Sequence, residues 1–142
     1  MHWRPFQLNP DMPKGGVERD AYRAAKFGSL ERSRELDAQV AAAGRAAGLE
    51  FRHALMTRTP NTVDAHRLIR LAGEQGSAVQ NAVVEALFTA YFQQGRDVGD
   101  RAVLAEIAGE AGLSALDAAN VLASGAGEEA VVQEDLGFRR LG

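Results

Sequence analysis

Glycines and capping residues divide this chain into helix-length pieces, and that punctuation constrains the fold more than any other feature. A first helical stretch runs from Val17 to Phe27 and stops at Gly28. Ser29 caps the next, whose apolar side is Leu30, Leu36, Val40 and the alanines between positions 41 and 47, and Gly48 ends it. Ala78 to Phe92 is apolar on two stripes: Val79, Val83, Leu87 and Tyr91 on one, Val84, Phe88 and Phe92 on the other. Such a helix lies inside a bundle, so Leu87 and Phe88 both read as interior. Gly95 closes it. Asp100 caps 101–111, with Val103, Leu104, Ile107 and Ala108 facing inward, and Ser114 with Asp117 makes a near capping box for 115–124. Acids at Glu128 and Glu129 open a last helix that runs to Leu136, with Phe138 and Leu141 trailing it.

The remaining helix is the best defined. In TPNTVDAHRLIRLA (59–72), Thr59-Pro60 is extended chain, because the proline ring disfavours helix at the residue before it. Asn61 then caps a helix over 61–73, with Asp64 in its first turn near unpaired N–H groups. Ala65, Leu68, Ile69 and Ala72 form one apolar stripe, and His66 falls at its edge. The expected fold class is therefore mostly α: seven helices in a bundle with one or two marginal strands. Trp3 to Leu8 alternates loosely and ends in Asn9-Pro10, which reads as a short edge strand because Pro5 lacks a ladder donor. Asp11 to Gly16 is a loop, and Leu49 to Met56 is either a strand or a packed connector. The expectation is one domain over 1–142, with a strand-like segment at 1–10 and a helical part at 17–137.

Composition narrows the chemistry. Of 142 residues, 46% are hydrophobic and 25% charged, ordinary for a folded protein. Lys and Arg total 16 against 19 acids, a net charge of -3, which disfavours nucleic acid as a partner. No apolar run reaches the length of a membrane span and the first residues resemble no signal peptide, so no membrane is expected and a cytoplasmic location is the default. The chain has 0 cysteines, which excludes disulfides, thiolate metal sites and thiol nucleophiles.

Three polar residues are candidates for a binding cleft. His66 reads either as a hydrogen-bonded core-edge histidine or as a ligand contact that titrates near neutrality. Asn9 and Asn61 sit beside prolines at element ends, where each is a turn or cap residue or else a ligand contact. His2, His53 and His66 have no spacing that sets two on one helix face, so neither a metal nor any other cofactor is expected. Leu104 to Ala123 has the outline of a helix-turn-helix, but Ala115 to Ala123 offers only Asn120 toward base edges and carries Asp117. Gly125-Ala126-Gly127 precedes a helix opened by two acids, which would repel a phosphate. No serine is placed beside a histidine to form a triad.

Three blocks carry a family resemblance: MHWRPFQLNPDMP, TPNTVDAHRLIRLA and EALFTAYFQQGRDVGDRAVLAEIAGEAGL. In order and separation they resemble the DsbA-like thioredoxin-fold oxidoreductases, especially the cytosolic FrnE-type branch. The likeness covers the middle of that family's pattern, its second strand and helical insertion. A Cys-Pro-x-Cys motif before it and a Gly-Val-Pro loop after it are expected of a full member. The resemblance implies thiol–disulfide exchange on protein or small-thiol substrates, with the helical part roofing the active-site cleft and shaping substrate choice. It sets the Pro-Asn-Thr segment at the border of that cleft, hence Asn9, Asn61 and His66 as cleft residues and no catalytic residue of this chain's own. Without cysteine the chain alone is expected to be redox-inactive. The alternative reading is a non-catalytic helical interaction module, with a nucleic-acid binder third. Exposed apolar residues on the first segment further suggest a homodimer through Met1 to Asn9.

Overall fold

At Ser29, Asp100 and Ser114, where the sequence places caps, a helix begins. The Ser29 hydroxyl accepts from the Arg32 N–H, the Asp100 carboxylate from the N–H groups of Ala102 and Val103, and the Ser114 hydroxyl from that of Asp117. Gly28 adopts the left-handed conformation that closes the first helix, with φ 95°. The structure is a computed structural model that describes residues 3–141. Its elements in order are β1 (Val17–Glu18), α1 (Arg19–Phe27), α2 (Leu30–Ala46), a 3₁₀ turn (His53–Leu55), β2 (Arg58–Thr59), α3 (Val63–Gln75), α4 (Ser77–Phe88), a π-helical turn (Thr89–Gln93), α5 (Arg101–Glu110), α6 (Ala115–Ser124) and α7 (Glu128–Arg140). The fold is mostly α, as the glycine punctuation requires.

The apolar core is drawn from α3 to α6. Ala65, Leu68 and Ala72 of α3 meet Val83 and Leu87 of α4, Leu104 and Ile107 of α5, and Ala118 and Leu122 of α6, all buried. The stripes read from helical spacing supply most of this interior. Phe88 is the exception: it is 52% exposed at the C-terminal end of α4, although Val84, one turn earlier on the same stripe, is buried. It is not interior.

The hairpin of α1 and α2 contributes no residue to that core. Its centre is polar instead. Arg19 donates two hydrogen bonds to Asp37, at 2.8 and 2.9 Å, and Arg23 pairs with the same carboxylate while donating to Ser33. The hairpin reaches the rest of the chain through the antiparallel β1–β2 pair, Val17 opposite Thr59 and Glu18 opposite Arg58. Phe51 also lies so close to Gly44 that an added Cβ there would sit 2.7 Å from its ring.

Several boundaries differ from the expectation. The sheet strands are Val17–Glu18, which the helical reading had absorbed, and Arg58–Thr59. Residues 49–56 form a connector with one 3₁₀ turn and no strand. The helix expected from Asn61 starts at Val63, and the last helix runs on to Arg140. Trp3 to Leu8 is not a strand; Met1 and His2 lie outside the described residues. The alternation nevertheless survives, with Pro5 and Gln7 buried and Arg4, Phe6 and Leu8 exposed. Side chains take the place of a neighbouring strand. The Trp3 N–H donates to Gln80, the Gln7 N–H to Asp135 at 2.8 Å, and Arg139 donates to the Gln7 carbonyl. This N-terminal strap thus lies fastened across the bundle.

Candidate functional site

The strap, the β2–α3 corner and the π-helical turn converge on an apolar groove of about 320 Å³. The strap contributes Phe6, Leu8 and Asn9; the corner contributes Thr59 and Pro60; α3 contributes Ala65, His66 and Ile69. Leu87, Phe88, Tyr91 and Phe92 close the far side. The local sequence explains the shape. Pro60 keeps the corner extended, and the π-helical turn, closed by the Gln94 N–H on the Thr89 carbonyl at 3.1 Å, widens the end of α4. Consecutive aromatics then stack into a ridge: Trp3 lies edge-on to Phe88 at 6.3 Å, Phe88 meets Phe92 at 6.2 Å, and Phe92 meets Phe51 at 5.3 Å.

His66 stands in the groove wall, half-buried, with Nε2 3.2 Å from the Phe6 carbonyl. A carbonyl only accepts, so this contact places the hydrogen on Nε2. Burial pushes the imidazole below its ordinary value of 6.5, while the Phe6 hydrogen bond and the Asp135 charge oppose that shift without cancelling it. The ring is therefore neutral at neutral pH. It also borders a second, polar cavity of about 240 Å³, where Trp3, Arg4, Arg70 and Glu134 gather on the other side of the strap.

The two asparagines differ. Asn9 lines the groove, with its side-chain oxygen accepting from the Tyr22 hydroxyl at 2.7 Å. Asn61 does not line it. Its amide donates to the Met12 carbonyl at 2.7 Å while its oxygen accepts from the Val63 N–H at 3.0 Å, so it braces the corner behind the groove. Of the three residues picked from the sequence, two meet in the groove and the third holds its rim.

Other residues at the site went unread. Tyr91 lines the groove and lies near Arg19 and Arg23; burial raises its hydroxyl above the ordinary range despite those charges. Its place on a helical stripe marks it as buried and says nothing of the cations beside it. His53 faces Asp37 at 4.0 Å over a polar cavity of about 670 Å³, and burial holds it below its ordinary value. Among the described residues, no three His, Asp or Glu side chains gather as a metal-binding group. No helix described is long and apolar enough to cross a membrane.

Comparison with known proteins places this geometry in a family context. A family model for the DSBA-like thioredoxin domain matches residues 1–142. Among solved structures, the chain is similar to a probable DsbA oxidoreductase from Streptomyces coelicolor, with 31% sequence identity and a TM-score of 0.84. That similarity covers 98% of this chain and 60% of the Streptomyces protein, so this chain spans about three-fifths of its relative's length. No match was found among curated proteins.

Proposed function

The chain belongs to the DSBA-like thioredoxin domain family, and from that premise we propose that it forms the helical, cleft-roofing part of a FrnE-type cytosolic thiol–disulfide oxidoreductase. Its role there is to bind protein or small-thiol substrates and shape their choice. The observation that carries this reading is the groove itself. It is an apolar hollow of about 320 Å³ with a neutral histidine in its wall, bordered by the Thr59-Pro60 corner. In the resemblance drawn above, that corner faces the redox loop.

This chain's own chemistry stops at binding. Disulfide exchange needs a thiolate to attack a sulfur, and there are 0 cysteines here. Insulin reduction by the chain alone should match a control without protein. Binding is the positive test. Trp3 is the single tryptophan and lies against Phe88, so its fluorescence reports on the aromatic ridge. Titration with a reduced, apolar cysteine-containing peptide should give a saturable change. Leu8→Asp, at a lip position 84% exposed and thus tolerant of change, should weaken it. A flat titration, or one indifferent to Leu8→Asp, overturns the reading.

The strap also supports a homodimer as a further partner. Phe6 is 45% and Leu8 84% exposed on a segment that pairs with no strand in the described chain, a surface suited to meeting a second copy. Light scattering at high micromolar concentration should then show a dimer that Phe6→Ser with Leu8→Ser makes monomeric. A wild-type chain that stays monomeric rules it out.

A further inference from the structure

We infer that the strap is the built-in occupant of a peptide-binding trough, and that an extended polypeptide supplied by another molecule takes its place. The inference deepens the substrate-groove reading, because it names the form of the ligand and the groups that grip it. Four main-chain groups of the strap are held, each by a side chain of the bundle. The Trp3 N–H donates to Gln80 of α4 at 3.1 Å, and the Phe6 carbonyl accepts from His66 of α3 at 3.2 Å. The Gln7 N–H donates to Asp135 of α7 at 2.8 Å, and the Gln7 carbonyl accepts from Arg139 of the same helix. Among the described residues, Trp3 to Leu8 makes no hydrogen bond from main chain to main chain. Side chains that take up N–H and C=O groups recognise an extended backbone, which any polypeptide carries.

The clamp is firmly built and the strap is an imperfect occupant of it. Asp135 is 1% exposed, and its second oxygen accepts from Arg139 Nε at 3.0 Å, so an acceptor and a donor are fixed side by side. No strap residue belongs to the apolar core, and Phe6 and Leu8 remain exposed. The Gln7 side-chain oxygen is buried without a donor, a cost carried only while the strap is seated. Against this stand the Trp3 indole on Asn81 at 2.8 Å and the Phe6 ring 4.6 Å from the Arg139 guanidinium. Past Asn9 the chain is anchored, since Met12 is buried and its carbonyl accepts from Asn61 at 2.7 Å. Residues 3–8 can therefore leave while that anchor and the helices stay in place. His66 and Ile69 of α3 line both the apolar groove and the polar cavity of about 240 Å³, to which the strap gives Phe6 and Leu8 on the one hand and Trp3 and Arg4 on the other. Without the strap the two hollows form one trough along α3.

The test is an NMR titration of the full chain with a synthetic peptide of the strap's own sequence, WRPFQLNP. Gln7→Pro in the chain removes the N–H that meets Asp135 and so weakens the built-in competitor. The peptide should shift α7 amides around Asp135 and Arg139, and should bind Gln7→Pro about tenfold more tightly than wild type. Methylating the peptide nitrogen equivalent to that of Gln7 should weaken binding by about tenfold, the worth of a hydrogen bond to a charged group. Methylation at the position of Leu8, whose N–H has no partner among the described residues, should cost little. No response in α7 from either protein overturns the inference, and so does equal binding of the peptide methylated at the Gln7 position. Wild type alone supplies a further check that needs no variant. The Gln7 amide should exchange with deuterium well before that of Ile107 in the core, and exchange of both together means that the strap never leaves and overturns the inference. A cysteine-containing peptide that still changes Trp3 fluorescence after such a failure leaves the groove reading standing.

Discussion

Arg67 shows most clearly how single side chains hold this molecule together. It is 1% exposed, and a guanidinium is tolerated at that depth only when its donors are engaged. Here it donates to Asp64 at 2.7 Å and to the carbonyls of Val121 at 2.6 Å, Leu122 at 3.3 Å and Ala126 at 3.0 Å. It therefore ties α3 to the C-terminal end of α6, while Arg101 takes the other oxygen of Asp64. Arg67→Ala should cost about 3–5 kcal/mol in urea denaturation, because it leaves Asp64 and three carbonyls short of donors. Arg67→Lys should recover only part of that loss, since an ammonium cannot span the same fork. An unchanged midpoint for Arg67→Ala would contradict this account. Acid should expose the same network. Burial alone would raise Asp64, but hydrogen bonds from Arg67 and Arg101 outweigh it and hold the group below its ordinary 3.8; Asp37 is held low in the same way by Arg19. A depressed carboxylate contributes stability above its unfolded value and loses it as pH falls through the folded one. His66 and His53 act earlier. Both are depressed by burial, so the unfolded chain takes up their protons first and stability declines as pH drops below about 6.5. Thermal melts should thus fall in two stages, the second below about pH 4, and Asp64→Asn should blunt the second. The spacing of Asp64 and Arg67 was visible in the sequence as an i,i+3 pair, yet nothing in it said that the arginine would point inward.

At the scale of elements, helices were legible and strands were not, for a physical reason. A helix is specified by its own residues: caps, stops and a stripe at helical spacing lie within one short window. Hence Ser29, Asp100 and Ser114 each start a helix where expected. A two-residue strand is specified by its partner. Val17 and Glu18 pair with Thr59 and Arg58 some forty residues away, and no local pattern announces that. The strap failed as a strand for the converse reason: its alternation is real, but its backbone partners are the side chains of Gln80, Asp135 and Arg139. Phe88 was misjudged because it is the last residue of α4: Val84, one turn earlier on the same stripe, is buried, but the ring at the helix end is only half covered. Leu87→Ala should therefore cost about 2–5 kcal/mol, and Phe88→Ala distinctly less, since half its ring already meets water. Equal denaturation midpoints for the two would show that the Phe88 ring is as deeply packed as Leu87. Gly95 tests the end of the same element. It has φ 67°, and an added Cβ would lie 2.4 Å from the Leu55 carbonyl oxygen. Gly95→Ala should accordingly destabilise by more than the ordinary cost of a left-handed alanine, about 1 kcal/mol.

Across the whole molecule, stability is unevenly distributed, and the groove lies where the distribution changes. Helices α3 to α6 share one buried apolar cluster, with Leu104, Ile107 and Ala72 each at 0% exposure. The α1–α2 hairpin has no share in it and is held by the Arg19–Asp37–Arg23 cluster, a two-residue ladder and the Tyr22–Asn9 hydrogen bond. Opening that polar cluster exposes little apolar surface, whereas opening the apolar cluster exposes the core, so the two regions should open with different free energies. The connections between them, Leu8 to Asn9 and Thr59 to Pro60, are also the groove's rim. A ligand seated in the groove would touch both connections and should slow opening of the hairpin more than that of the core. Hydrogen–deuterium exchange on the full chain resolves this region by region. Amides of α1 and α2 should exchange well before those of α3 and α5; the gap should widen in Arg19→Lys and narrow with an apolar cysteine-containing peptide bound. Uniform protection across all helices would mean that the hairpin and the core open as one unit, and that the polar cluster grips as firmly as the apolar one.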